Sequence, residues 1–570
     1  MAGAGGRRVR RGARVRRAAD RRPPTARAWV LRIRERDRKG MQSHLSSGRR
    51  ERPMADEPEL TTSPAGGDEP ERPRRAHGHT LPPAVPAARA AEAGEGADAD
   101  PRAATYLERR SLRRGSAGPL LLTGLGVAYV VSGDFSGWNA GLAEGGFGGL
   151  AIAAVLMGLM YTCLVFSLAE LASVLPTAGG GYGFARRALG TWGGFLTGTA
   201  ILIEYVLAPA AIALFIGEYV ESLGLFGLES GWPVYLACFV LFVGIHLWGV
   251  GEALRFILAV TAVAVAALVV FACAAATEFS AGSLNDIPVD QDAFGAGSWL
   301  PFGLLGIWAA FPFGMWFFLG VEGVPLAAEE TRDPARTLPR AMAWSLCILL
   351  VLALVTFVTA TGARGAAVIA DVGDPLVQAL QPHGEPTTAS RIVNYAGLAG
   401  LVASFFSLIY AGSRQLFALS RAGYLPRVLS LTNRRKAPYL GLVVPGALGF
   451  ALAAASGDGA RMLNVAVFGA TISYALMALS HVVLRWREPR LRRPYRTPGG
   501  VLTSSVALVL ACSALVATFL VDPRAALIAL GVYGVALVYF ACYSRHRLVA
   551  SAPEEEFAAL AEAEAALARD

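Results

Sequence analysis

From residue 117 onward the chain alternates between long apolar runs and short polar joints. The runs lie near 117–142, 148–175, 193–221, 232–249, 255–277, 301–327, 341–361, 392–420, 438–456, 462–484, 502–521 and 525–543. Each can cross ~30 Å of hydrocarbon as a helix. None shows the two-residue alternation of a membrane β-barrel, and a helix satisfies its own backbone in lipid. The pattern predicts an all-α integral membrane protein with about twelve transmembrane helices over residues 115–545.

Two runs are interrupted at mid-depth. The first contains Ser132-Gly133-Asp134, followed by Gly137, Trp138 and Asn139. The sixth contains Trp316, Phe318, Gly320, Glu322 and Gly323, between Pro312 and Pro325. Glycine and an acid weaken a helix where lipid cannot replace lost hydrogen bonds, so such breaks belong beside protein or a water-filled cavity. First and sixth are matching positions if helices 1–5 and 6–10 are inverted repeats. Paired breaks of that kind point to a transporter's binding site, and glycine and proline also serve plain kinking and close packing.

Arginine placement gives the orientation. The joints expected inside hold twenty basic residues: Arg186, Arg187, Arg255, Arg332, Arg336, Arg340, Arg414, Arg421, Arg427, Arg434, Arg435, Lys436, Arg485, Arg487, Arg490, Arg492, Arg493, Arg496, Arg545 and Arg547. The outside joints hold only Arg364, Arg391, Arg461 and Arg524. This bias places both termini in the cytoplasm.

Charge changes the picture once it is divided. The whole chain carries +9, but residues 1–114 hold 27 basic and 15 acidic residues, a net of +12, leaving −3 for the rest. The first 114 residues lack apolar periodicity and read as a disordered basic cytoplasmic tail. Met41 and Met54 lie within it as alternative starts, so translation of residues 1–53 is open. The chain from Glu554 reads as an acidic cytoplasmic tail, within a final segment of 546–570. A nucleic-acid partner is therefore not expected. Only Lys39 and Lys436 occur, and the arginine bias suits a high-GC bacterial genome and its cytoplasmic membrane. No glycine-rich loop precedes either lysine, and no zinc-ligand or nucleophile motif is present, so neither an enzyme nor a cofactor or metal is expected. Six cysteines in apolar runs read as small buried hydrophobes.

Three acids lie deep in spans: Asp134, Glu204 and Glu322. Each costs ~2.5–3.5 kcal/mol to insert, so each is a functional candidate. No lysine or arginine is expected at that depth, which favours a cation as substrate, coupling ion or proton. Asp134 could equally cap the second half-helix, and Glu204 and Glu322 could hold neighbouring helices together. Phe135, Trp138, Tyr161, Tyr205, Trp316 and Phe318 share the depth, and an ammonium over such faces gains ~1–2 kcal/mol. Trp316, just before the sixth-helix break, is the strongest aromatic candidate. Ser404 and Ser407, at i and i+3 of the eighth span, could serve a sodium ion or bond between helices.

Glu170-Leu171-Ala172-Ser173-Val174-Leu175-Pro176 with Gly179-Gly180-Gly181-Tyr182 and Phe184 resembles the signature after helix 2 of the amino acid–polyamine–organocation permeases. Phe318–Gly323 with Ala327–Pro334 and Leu338-Pro339-Arg340 is similar to that superfamily's helix 6 and following loop. Within it, Tyr129–Asn139, Val165–Leu171 and Glu204–Pro209 most resemble the ethanolamine permeases. The resemblance covers about 117–545. It implies a LeuT-type 5+5 inverted repeat, a substrate between broken helices 1 and 6, and alternating access by rocking bundles. It also implies that Trp316 closes over the substrate. Some relatives place a lysine in helix 5, whereas Phe256–Ala262 has none.

One departure is informative. Amino-acid permeases usually have an apolar residue where Asp134 stands, beside backbone N–H groups that bind the substrate carboxylate. An acid there repels a carboxylate and suits an amine without one. The expected function is a secondary transporter importing a small amine, ethanolamine first, with a proton or sodium as candidate coupling ion and exchange without net ion coupling equally open. An amino-acid or polyamine permease or exchanger is the alternative. The expected substrate contacts are Ser132, Gly133, Asp134, Phe135, Glu204, Trp316, Phe318, Gly320 and Glu322. Glu204, Glu322, Ser404 and Ser407 are candidates for the coupling ion.

Overall fold

The computed structural model describes residues 117–548, except 178, 225, 226, 228, 229, 249 and 382–385. The expected tails, 1–114 and the acidic end from Glu554, lie outside the described residues. The described chain is almost entirely helical, with two isolated β-bridges as its only extended pairing.

The twelve expected spans become α1 Pro119–Val130, α2 Ala140–Val174, α3 Gly181–Ser222, α4 Trp232–Trp248, α5 Val250–Thr277 and α6, made of Gly303–Ala309 and Phe311–Trp316. After them come α7 Pro334–Arg364, α8 Thr388–Arg421, α9 Tyr439–Ser456, α10 Gly459–Arg487, α11 Val501–Val521 and α12 Pro523–Cys542. Ten spans are long and apolar enough to cross a membrane, and the shorter apolar helices Pro119–Phe135 and Trp232–Trp248 complete the set.

Several boundaries differ from the pattern of apolar residues. The helix of α2 starts eight residues before the second apolar run and changes direction at Gly146, so its first turns continue the first span. Likewise α3 begins at Gly181 and is broken at Gly190. Hydropathy alone misses these pieces because they are polar or glycine-rich yet packed on neighbouring helices.

Both expected breaks are present. Past α1, Ser132–Phe135 forms one isolated turn, and Ser136–Asn139 is non-helical. Past Trp316 the chain makes a turn and resumes as a 3-10 helix over Val321–Glu330. The two breaks touch: a Cβ on Gly133 would come within 2.5 Å of the Trp316 carbonyl oxygen, so only glycine fits there. Gly320 has φ +103°, a left-handed conformation that side chains disfavour.

Neighbour relations repeat between the halves. As α10 packs on α3, so α8 packs on α5; as α7 packs on α1, so α6 packs on α2. These contacts bury the broken segments in protein, which is what their unpaired backbone requires.

The cysteine expectation needs correction. Cys163 and Cys238 are buried, but Cys273, Cys347, Cys512 and Cys542 are exposed on the outside of the bundle, and all six are free. A helix facing lipid is apolar on its outer side too, so an apolar run does not imply burial inside the protein.

Candidate functional site

The buried acids form two groups. Glu204, on α3, and Glu322, just past the α6 break, meet through Tyr474 of α10. The Tyr474 hydroxyl lies 2.9 Å from Glu322 Oε2 and 3.2 Å from Glu204 Oε1. Tyr205 Oη donates to Glu322 Oε1 at 2.9 Å, and the Tyr161 hydroxyl reaches Tyr474 at 3.2 Å. The Gly320 N–H donates to Glu322 Oε2 at 3.2 Å, which ties the acid to its own turn. The Glu204 and Glu322 carboxyls also lie within hydrogen-bonding reach of each other.

Asp134 stands apart from this network. Its side chain is wholly buried, yet neither carboxyl oxygen has a hydrogen-bond partner. It does not cap the turn it belongs to, since Ser132–Phe135 shows no side-chain cap. Burying an acceptor unpaired costs ~1–3 kcal/mol, and more for a charged group.

The backbone around Asp134 has its donors largely committed. Ser132 N–H donates to Ser404 Oγ at 2.9 Å, and Asp134 N–H to the Val131 carbonyl at 3.2 Å. Ser136 N–H donates to the Ser132 carbonyl, and Gly137 N–H to Asn139 Oδ1. On the α6 side, Phe318, Val321 and Gly323 N–H groups also have carbonyl acceptors.

Trp316 is buried between the breaks and the arginine-poor end of the bundle. Its indole N–H donates to the Ser136 carbonyl at 2.9 Å, its ring lies 6.3 Å from Phe215, and Gly137 sits directly against it. Phe318 packs on Tyr161 with ring centroids 5.5 Å apart. Phe135 turns instead towards α8, where Gly397 and Gly400 make room for its ring. Trp138 is core: it stacks on Phe317 and donates to the Asp134 carbonyl.

The serines are both engaged. Ser404 Oγ donates to the Ala128 carbonyl at 2.6 Å while accepting from Ser132, so it pins α8 to the end of α1. Ser407 Oγ donates to Ala403 in its own helix. Among the described residues no group of three or more His, Cys, Asp or Glu could hold a metal ion.

Sequence reasoning missed Tyr474 as the bridge between the acids. A tyrosine in the middle of an apolar helix was the available signal, but its partners lie 270 and 152 positions away. It also missed how the signature acids are used. Glu170 accepts from Arg485, Arg493 and the Thr497 N–H, with His481 at 3.3 Å. Glu330 pairs with Arg414 at 2.9 Å and accepts from Tyr410, and Glu329 pairs with Arg421 at 2.6 Å. Arg414 is thus a buried arginine within a span, and Glu330 balances its charge. These pairs cross-link the arginine-rich end. At the opposite end an open cavity of about 290 Å³ remains.

Residues 122–542 match the family model described as amino acid permease. An uncharacterized transporter of Rhizobium meliloti is 31% identical over 413 residues, covering 71% of this chain and 86% of the relative. A branched-chain amino acid permease of Bacillus subtilis is 27% identical, covering 71% and 88%. A methylthioribose transporter of the same organism is 26% identical, covering 67% and 83%.

Proposed function

The chain belongs to the amino acid permease family of membrane transporters, and from that premise we propose that it imports a small amine, ethanolamine first, by alternating access in a LeuT-type fold. The observation that carries the reading is Asp134: a buried carboxyl with both oxygens unpartnered, in a helix break whose N–H donors are largely committed. Such a break offers a negative charge to an ammonium and few donors to a carboxylate. A charge-assisted hydrogen bond from the amine contributes ~1.5–3 kcal/mol. Phe318 and Tyr161 supply an aromatic wall, and Trp316 acts as the lid. Ion pairs close the cytoplasmic end, which suits a state loaded from outside.

Counting hydrogens supports a proton as the coupling ion. The Tyr474 hydroxyl has one hydrogen and two carboxyl oxygens within bonding distance. The second contact is favourable only if Glu204 or Glu322 carries a proton. The pair therefore holds one proton at rest, and its release on the cytoplasmic side drives import.

The printed name of the Bacillus relative favours a second reading, an amino-acid permease or exchanger. Uptake of labelled ethanolamine into proteoliposomes, with imposed gradients and a competitor panel, separates the two. An inward proton gradient accelerates uptake, a sodium gradient does not, and small amines compete. Competition by leucine alone, with no ethanolamine uptake, overturns the amine reading.

A further inference from the structure

Two buried polar clusters face one side chain. Towards the helix breaks are Glu204, Tyr474, Glu322 and Tyr205, joined by hydrogen bonds. Towards the arginine-rich end are Tyr410, Glu330 and Arg414. The Tyr410 hydroxyl donates to Glu330 Oε2, and Arg414 pairs with Glu330 Oε1 at 2.9 Å while its guanidinium lies 3.8 Å from the centre of the Tyr410 ring. The side chain that interacts with both clusters is Tyr129, in the last turn of α1.

Glycines make room for it. Tyr129 is fully buried, and a Cβ on Gly320 would lie 3.3 Å from its Cβ. A Cβ on Gly323 would lie 3.0 Å from its ring Cε2, 3.2 Å from its Cζ and 3.0 Å from the Tyr205 hydroxyl. The hydroxyl-bearing ends of Tyr129 and Tyr205 therefore flank the same point. On its other side Tyr129 interacts electrostatically with Arg414 and Glu330, as it does with Glu322. Tyr410 in turn interacts with Tyr129.

Among the described residues the Tyr129 hydroxyl has no hydrogen-bond partner. The hydroxyls of Tyr205, Tyr410 and Tyr474 all have one. A buried hydroxyl left unpaired is costly, and phenylalanine would fill the same space without that cost. A phenol both donates and accepts, so it can take up one proton while passing another on. Buried chains of ionisable groups serve as proton relays in membrane transporters.

We propose that Tyr129 is the link through which the proton held by Glu204 and Glu322 leaves for the arginine-rich end. This rests on the reading of that acid pair as the proton carrier. In the transfer the O–H bond of the acid pair breaks. The Tyr205, Tyr129 and Tyr410 hydroxyls each accept one proton and give up one, and an O–H bond forms at Glu330 Oε2. Each tyrosine is neutral before and after. Glu330 gives the proton to solvent when that end opens. The unmade contact at Tyr129 keeps the proton on the acids in the state seen here.

The test uses the full chain in proteoliposomes and two readouts. One is accumulation of labelled ethanolamine driven by a proton gradient. The other is exchange of labelled for unlabelled ethanolamine at equal pH, which needs no proton release. Tyr129→Phe keeps the ring against Gly320 and Gly323 and removes only the hydroxyl. Its accumulation falls about tenfold or more, the scale of a lost proton-transfer group, while exchange keeps the wild-type rate. Tyr410→Phe, one link further on, gives the same split and decides the matter if Tyr129→Phe does not assemble. Wild-type accumulation by the variants overturns the inference and leaves proton coupling standing. Equal loss of accumulation and exchange also overturns it, because that is the sign of a packing role. Wild-type protein without proton-driven uptake overturns the inference and the proton-carrier reading together.

Discussion

At the residue scale the account depends on a few side chains with unusual demands. Asp134 is held without a hydrogen-bond partner, and the proposal is that its carboxyl meets the amine of a ligand. Asp134→Asn keeps the shape and removes the charge. Its KM for ethanolamine rises about ten- to a hundredfold, the equivalent of 1.4 kcal/mol per decade. Near-normal transport by this variant excludes a charge-pairing role. Gly320 is a structural counterpart. Its φ of +103° and its closeness to Tyr129 mean that Gly320→Ala loses about 1–2 kcal/mol, read as a lower melting temperature in detergent. Asp134, Glu204 and Glu322 were all legible in the sequence, because an acid in an apolar run stands out. Their grouping was not. Tyr474, which joins two of them and leaves the third alone, is brought in by α10 packing on α3, and no local pattern encodes that.

At the element scale the two breaks were legible from glycine, acid and proline in otherwise apolar runs. Their mutual contact was not, nor was the commitment of their N–H groups, which depends on α8 arriving with Ser404. Gly133 measures the contact: a methyl group there collides with the Trp316 backbone. Gly133→Ala therefore reaches the membrane but loses most uptake, whereas alanine at exposed Gly531, which has open space around it, leaves uptake intact. Ser404→Ala removes the bond from α8 to the Ala128 carbonyl and the acceptor for Ser132 N–H. It costs about 1 kcal/mol per lost bond and loosens the first break. Reduced uptake with preserved expression is the expected readout. The lipid-facing cysteines mark the limit of reading at this scale, since hydropathy cannot separate an interior face from a face turned to lipid.

At the scale of the whole molecule, charge is sorted by depth and end. The +9 of the sequence arises mainly in residues outside the described part, while the spans carry acids at the breaks and paired ions at the arginine-rich end. The signature residues Glu170, Glu329 and Glu330 act there as latches between α2 or the 3-10 segment and α8, α10 and the joint after α10. Glu170→Gln leaves Arg485 and Arg493 without their carboxylate and costs about 3 kcal/mol. A lower melting temperature and greater accessibility of the site from the arginine-rich end to a thiol reagent, in a single-cysteine background, are the expected signs. The sequence displays these acids and arginines as loop charges, and only the packed bundle reveals them as a seal.

The central claim is that a negatively charged break selects an amine over an amino acid. Ethanolamine and glycine are similar in size and differ chiefly by the carboxylate, so their labelled uptake by the same proteoliposomes compares the two cases directly. The account predicts kcat/KM for ethanolamine at least about a hundredfold above that for glycine or leucine, a difference of ~2.8 kcal/mol. Equal or better transport of glycine or leucine contradicts it.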